Sequence, residues 1–246
     1  MDINQEKVKE LFDGRAKLTG NNTVLSLNDN FETTRQNIYR DYITKKSLFK
    51  YLKIKKEDVV LDFGCGIGRL AKYTSKKAKK VYAVDISEKM IEKAILENNN
   101  SNIEYSVVDE QFNFSYNTLQ KIYTCWVLQH ISDSKITEYL QKFNKFMVDN
   151  AKIVILEQCR KNTEILCNLH IHRSKEHYIK LFEDAGFKLV ENKNVFRVPS
   201  YSMHLWKKAN FPKIMLPLFG LIERLTVNIK TEFVEYINTV MIFQKV

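Results

Sequence analysis

Apolar positions in this chain fall into short blocks separated by stretches of helical spacing. Runs rich in Val, Ile, Leu, Tyr and Phe at 58–63, 80–85, 103–108, 120–125, 151–157, 187–197 and 233–245 predict strands. Between them, residues 67–77, 87–99, 133–147 and 174–185 repeat apolar side chains three and four apart, as amphipathic helices do. Ser132 or Asp133 is placed to cap the helix at 133, and Gly186 to end the one before it. This alternation predicts an α/β fold, a parallel sheet covered by helices. The expected organisation is one domain. Residues 1–55, with helical patterns at 3–17 and 32–53, form an N-terminal helical cap; 56–198 form the core and 231–246 the final strand. Residues 199–230 hold all three prolines and read as a helical insertion, serving as a cover for the sheet edge, a lid or a dimer surface.

Residues 59–70 read VVLDFGCGIGRL, an apolar strand ending in an acid and then three glycines at alternate positions before a helix. Glycines there permit positive φ and let a ligand approach the main chain, while the helix start offers free N–H groups. Arg69 stands where a dinucleotide-binding turn needs its third glycine, and no Lys-Ser/Thr pair follows to hold a triphosphate. A second strand, residues 80–85 (KVYAVD), ends in an acid placed to accept ribose hydroxyls. On these residues the chain resembles the class I S-adenosylmethionine-dependent methyltransferases of small-molecule type, which implies a Rossmann-like α/β fold: a seven-stranded, mostly parallel sheet with helices on both faces and its last strand antiparallel. Residues 102–110 (NIEYSVVDE) resemble that family's third strand, and 122–133 (IYTCWVLQHISD) its fourth strand and following helix.

The resemblance implies S-adenosylmethionine as cofactor and a set of residues around it. Asp62 organises the glycine turn or meets the methionine ammonium. Gly64, Cys65, Gly66 and Gly68 lie along the cofactor, and Asp85 takes the ribose. Ile86 and Met90 pack on the adenine, and Asp109 or Glu110 accepts from its amino group. Cys125 and Trp126 approach the methionine portion. N-terminal helices in such proteins cover the cofactor and wall the acceptor pocket.

Charge narrows the acceptor only slightly. Lys and Arg total 39 against 29 Asp and Glu, a formal net charge of +10. The local group Lys76, Lys77, Lys79 and Lys80 reads first as a solvated helix end. The excess also suits an anionic acceptor such as a sugar-linked or phosphorylated metabolite, with surface-polysaccharide modification as one setting. A nucleic-acid partner is not expected, because no Pro-Pro-aromatic motif follows the fourth strand and no proline adjoins a cysteine. An RNA methyltransferase and a cofactor-binding protein without turnover stay open as alternatives.

Cys65, Cys125, Cys159 and Cys167 form no Cys-x-x-Cys pair, as expected of reduced thiols in a cytoplasmic protein. The stretch 211–222 is broken by Lys213, Pro217 and Gly220 and is too short to span a bilayer. Monomer and homodimer are both open.

Methyl transfer to an oxygen calls for a base, whereas a neutral amine needs less help. His130, His170 and His172 sit at the expected ligand edge of the sheet and are the candidate catalytic bases, with His170 and His172 sharing one side of an extended segment. Tyr39, Arg40, Arg173, Tyr178 and His204 are candidates for holding the acceptor, and no metal is assigned.

Overall fold

The computed structural model describes residues 3–17, 35–109, 112–115, 117–197, 212–229 and 236–246. Two helices come first, α1 (Gln5–Ala16) and α2 (Arg35–Leu52), followed by β1 (Val59–Phe63), α3 (Arg69–Ser75), β2 (Lys80–Asp85), α4 (Glu88–Asn98), β3 (Ile103–Val107) and β4 (Leu119–Cys125). A single 3-10 turn at Leu128–His130 leads into α5 (Asp133–Phe146) and β5 (Met147–Cys159). A hairpin of β6 (Glu164–Cys167) and β7 (His170–His172) precedes α6 (Lys175–Asp184) and β8 (Phe187–Arg197). After a second 3-10 turn come α7 (Leu216–Thr226) and β9 (Ile237–Lys245).

Seven strands form one sheet in the order β3-β2-β1-β4-β5-β9-β8. The first five in that order run parallel, and β9 is antiparallel to both β5 and β8. The expected architecture is present, with the antiparallel strand inserted between its neighbours. Strand order reverses between β1 and β4, so the C-terminal ends of these strands open a crevice, the position where open α/β sheets bind ligands.

Burial on both faces explains the continuous apolar runs. Along β5, Ile153 and Ile155 pack toward α5 and α6 with Phe143, Phe182 and Phe243. Val154 and Leu156 point the other way, among Leu48 and Leu52 of α2 and Phe196 of β8.

Three boundaries differ from the sequence reading. β5 starts at Met147, directly after α5, because Met147 already pairs with Leu119; the polar residues Asp149 and Asn150 conceal this start. The β6–β7 hairpin was not expected, since Glu164–Cys167 is exposed throughout and lacks apolar alternation. Of the 233–245 strand, the described part begins at Ile237. In the insertion, α7 rests on α2, with Phe219 and Tyr39 ring to ring at 6.4 Å, and on β8 through Arg197. This described part covers the sheet edge and lines no part of the crevice described below, whereas 198–211 lies outside the described residues.

Candidate active site

The crevice at the β1–β4 switch point holds a cavity of about 340 Å³, within the ~300–1,000 Å³ range of small-molecule sites. Its floor is the glycine turn. Gly64, Gly66 and Gly68 have φ of 79°, 54° and 75°, the left-handed region that side chains resist. A Cβ on Gly64 would lie 2.3 Å from Val127 Cγ2, and one on Gly68 would lie 2.3 Å from the Tyr105 hydroxyl. Packing against the protein therefore demands both glycines. Gly64, Cys65 and Gly66 line the cavity, while Gly68 does not.

Two buried carboxylates stand beside that floor. Asp62 is 2% exposed, and its Oδ2 has no hydrogen-bond partner in the protein. Burial pushes its pKa up to about 7. Asp85 accepts from the backbone N–H of Gly66 at 2.8 Å and of Ser87 at 3.0 Å, which ties the end of β2 to the glycine turn. Burial raises its pKa too, while those two bonds oppose the rise. Ile86 and Val108 continue the wall past Asp85. Asp109 is exposed and outside the cavity lining, and Glu110 lies outside the described residues. Met90 is buried against Ile67 and Ala16 instead of facing the cavity.

The opposite wall is the turn after β4. Cys125 and Trp126 both line the cavity; Trp126 has φ 59° and donates from its indole N–H to Asn238 Oδ1 at 2.8 Å. Glu157, fully buried on β5, holds this turn through Oε1, which accepts from the N–H groups of Val127 and Leu128 at 3.0 Å each. Its Oε2 has no partner, and burial pushes its pKa up to about 7. Sequence reading passed over Glu157, although an acid inside the apolar run VILEQ was the available signal.

The histidines converge as a row. His130 and His170 line the cavity with rings 4.9 Å apart, and His172 sits behind, 4.4 Å from His170. His130 Nδ1–H donates to the Leu169 carbonyl at 2.8 Å, leaving Nε2 as acceptor for the Gln129 side-chain amide at 3.3 Å. His170 Nε2 and both ring nitrogens of His172 have no partner. Burial lowers the pKa to about 4 for His130, about 3 for His170 and about 4 for His172. All three imidazoles are uncharged at neutral pH. Helix α1 closes this end, with Phe12 packed edge-on to His130 and the Asn4 N–H bonded to the Asn168 carbonyl at the hairpin turn.

Three expected acceptor residues lie outside the cavity lining. Arg173 is fully buried, and its guanidinium is spent on the Leu128 and Ile131 carbonyls at 2.6 Å and on Asp133 at 2.7 Å. Tyr178 lies under that guanidinium, 5.7 Å from ring centre to Cζ, and outside the cavity lining. Arg173 thus holds the His130 turn from behind. Tyr39 donates to the Phe219 carbonyl and to Glu223 and also lies outside the lining, whereas Arg40 lines it. His204 is outside the described residues.

The cavity fits S-adenosylmethionine: an unpaired buried carboxylate oxygen on Asp62 suits an ammonium, and the Ile86–Val108 wall suits a flat apolar ring. Comparison with known proteins agrees. The description of the AdoMet dependent proline di-methyltransferases matches residues 23–208. Alpha N-terminal protein methyltransferase 1 of Dictyostelium discoideum is 28% identical over 173 residues, 65% of this chain and 57% of that protein. Phosphoethanolamine N-methyltransferase 3 of Arabidopsis thaliana is 29% identical over 137 residues, 51% of this chain. The chain thus spans 57% of the first relative's length and 27% of the second's. Among solved structures, a Leishmania major SAM-dependent methyltransferase shares the fold with a TM-score of 0.67 at 18% identity, covering 98% of this chain and 82% of that one. Haemonchus contortus phosphoethanolamine N-methyltransferase 1, bound to phosphoethanolamine and S-adenosylhomocysteine, gives 0.68 at 18% identity, covering 98% and 49%. The chain belongs to the AdoMet dependent proline di-methyltransferase family.

Proposed function

We propose that the chain methylates the nitrogen of an amine-bearing acceptor held against the histidine row. Oxygen and nitrogen were both open from sequence; the observation that favours nitrogen is the set of imidazoles kept uncharged by burial, with His170 at the cavity wall and its Nε2 buried without a partner. Neutral ring nitrogens accept N–H bonds without placing a cation beside a cationic methyl donor. The two relatives named above as an N-terminal protein and a phosphoethanolamine methyltransferase support the same element.

When bound, S-adenosylmethionine supplies a methyl group already activated on a sulfonium. Asp62 would hold the donor's ammonium, Asp85 its ribose hydroxyls, and Ile86 with Val108 its adenine. The acceptor nitrogen needs its lone pair, and the apolar cavity lowers the pKa of an entering amine by disfavouring its charged form. His170 accepts an N–H bond and turns the lone pair toward the donor, while His130, fixed by Leu169 and Gln129, shapes the approach. Alignment and water exclusion supply the remaining acceleration. Arg40, buried at the cavity wall, faces the rest of the acceptor.

A panel of acceptors with isotopically labelled donor tests this reading. Free amines and peptides with free α-amino groups should take label, and their N-acetylated forms should not. Labelling confined to hydroxyl acceptors or to RNA would overturn it.

A further inference from the structure

The cavity leaves one large surface of the molecule unused. Helix α7 and its leading turn turn a narrow face inward: Phe219, Gly220 and Val227 are buried against the body. The outward face carries Ile214 (84% exposed), Leu218, Leu221, Ile222, Leu225 (71% exposed) and Ile229. Six large aliphatic side chains in water along sixteen residues form a stripe that monomeric surfaces rarely tolerate.

Charge says what covers it. The acid of residues 212–229, Glu223, is turned inward, accepting from the Arg197 N–H at 2.7 Å and from the Tyr39 hydroxyl. The outward side instead presents Lys213 and Arg224, both exposed. On the adjoining helix α2, Lys46 reaches over Gly220, and Lys50 follows one turn later, also exposed. An aliphatic stripe rimmed by cations, on a chain of formal charge +10, matches a helix lying in the interface of an anionic bilayer. Two copies meeting through this face would bring like charges together, so a second copy is the poorer occupant. None of the helices among the described residues is long and apolar enough to cross a membrane, in keeping with a segment that lies on one.

We propose that α7 docks the protein on anionic lipid membranes through Leu218, Leu221, Ile222 and Leu225, with Lys46, Lys50, Lys213 and Arg224 engaging the headgroups. Docking goes beyond the methyl-transfer reading and does not depend on the acceptor being an amine.

Cosedimentation of the full chain with vesicles tests it, comparing phosphatidylcholine alone with phosphatidylcholine containing phosphatidylglycerol. Binding should favour the anionic vesicles strongly and weaken as salt is raised. Leu221→Glu with Leu225→Glu should cut partitioning at least about tenfold, and Lys46→Glu or Lys213→Glu about fivefold or more. The exposed positions leave the core intact, so S-adenosylhomocysteine binding by calorimetry should be unchanged in every variant. Equal binding to both vesicle types, or wild-type binding by the double variant with an unchanged calorimetric response, would overturn docking. So would a stable dimer in sedimentation velocity that Leu225→Glu dissociates and that does not bind vesicles.

Discussion

Replacing Arg173 with Met should unlock the turn that carries His130. The guanidinium, with no exposed surface, donates to two main-chain carbonyls, Leu128 and Ile131, at 2.6 Å, and to Asp133 Oδ1 at 2.7 Å. Methionine fills much of the volume but takes away the side-chain donor to the Ile131 carbonyl and leaves Leu128 only the N–H of Ile131 at 3.2 Å, together about 2–4 kcal/mol. Asp133 is 46% exposed on its side chain, so water recovers most of its share, and that term adds little. The expected loss of stability is about 2–4 kcal/mol, a large part of the roughly 5–15 kcal/mol that a domain commands. Lysine, reaching one carbonyl at a time, should lose about half as much. Urea unfolding followed by circular dichroism measures both, with an unchanged m-value marking a pure stability effect. A loss below about 1 kcal/mol for Arg173→Met would refute the locking role.

Other expectations follow from the same geometry. Gly64→Ala combines a forced φ of 79° with a Cβ 2.3 Å from Val127, so it should cost about 2–4 kcal/mol; adding Val127→Ala should recover part of that in thermal melts. Glu157, held by burial near 7 where a free glutamate titrates near about 4.3, gives the native state the extra proton between those values. Stability from this group therefore falls as pH rises through that window and is level above it. Glu157→Gln should gain on the wild type by up to about 3 kcal/mol between about pH 5 and 8, and a flat difference in paired unfolding curves would contradict this. The imidazoles of His130 and His170, at about 4 and about 3, should put no ionisation into kcat/KM near neutral pH. A limb near about 6.5 that vanishes in His170→Ala would show a charged histidine instead.

Much of the fold was legible because strands buried on both faces leave continuous apolar runs, and the glycine turn and the acids at 62 and 85 stand at strand ends. Features set by three-dimensional packing were not. Strand β6 is exposed throughout, yet its hairpin with β7 brings His170 beside His130 across forty residues. Arg173 looked like an anion clamp because guanidinium chemistry is the same in a site and in a core; its burial decides which. Asp109 stands at the end of β3 as expected, but the chain turns its side chain to solvent. Helix α1, amphipathic only weakly in sequence, owes its place to Asn4, which caps it and pins it to Asn168.

The nature of the acceptor atom is the claim on which the account turns. An acceptor of the ethanolamine class offers an amine and an oxygen in one molecule, so position within the site, not entry to it, decides the product. Incubated with the enzyme and a carbon-13-labelled methyl donor, it should yield an N-methyl resonance in the NMR spectrum, lost in His170→Ala out of proportion to any change in S-adenosylhomocysteine affinity. An O-methyl product from that acceptor would contradict the account.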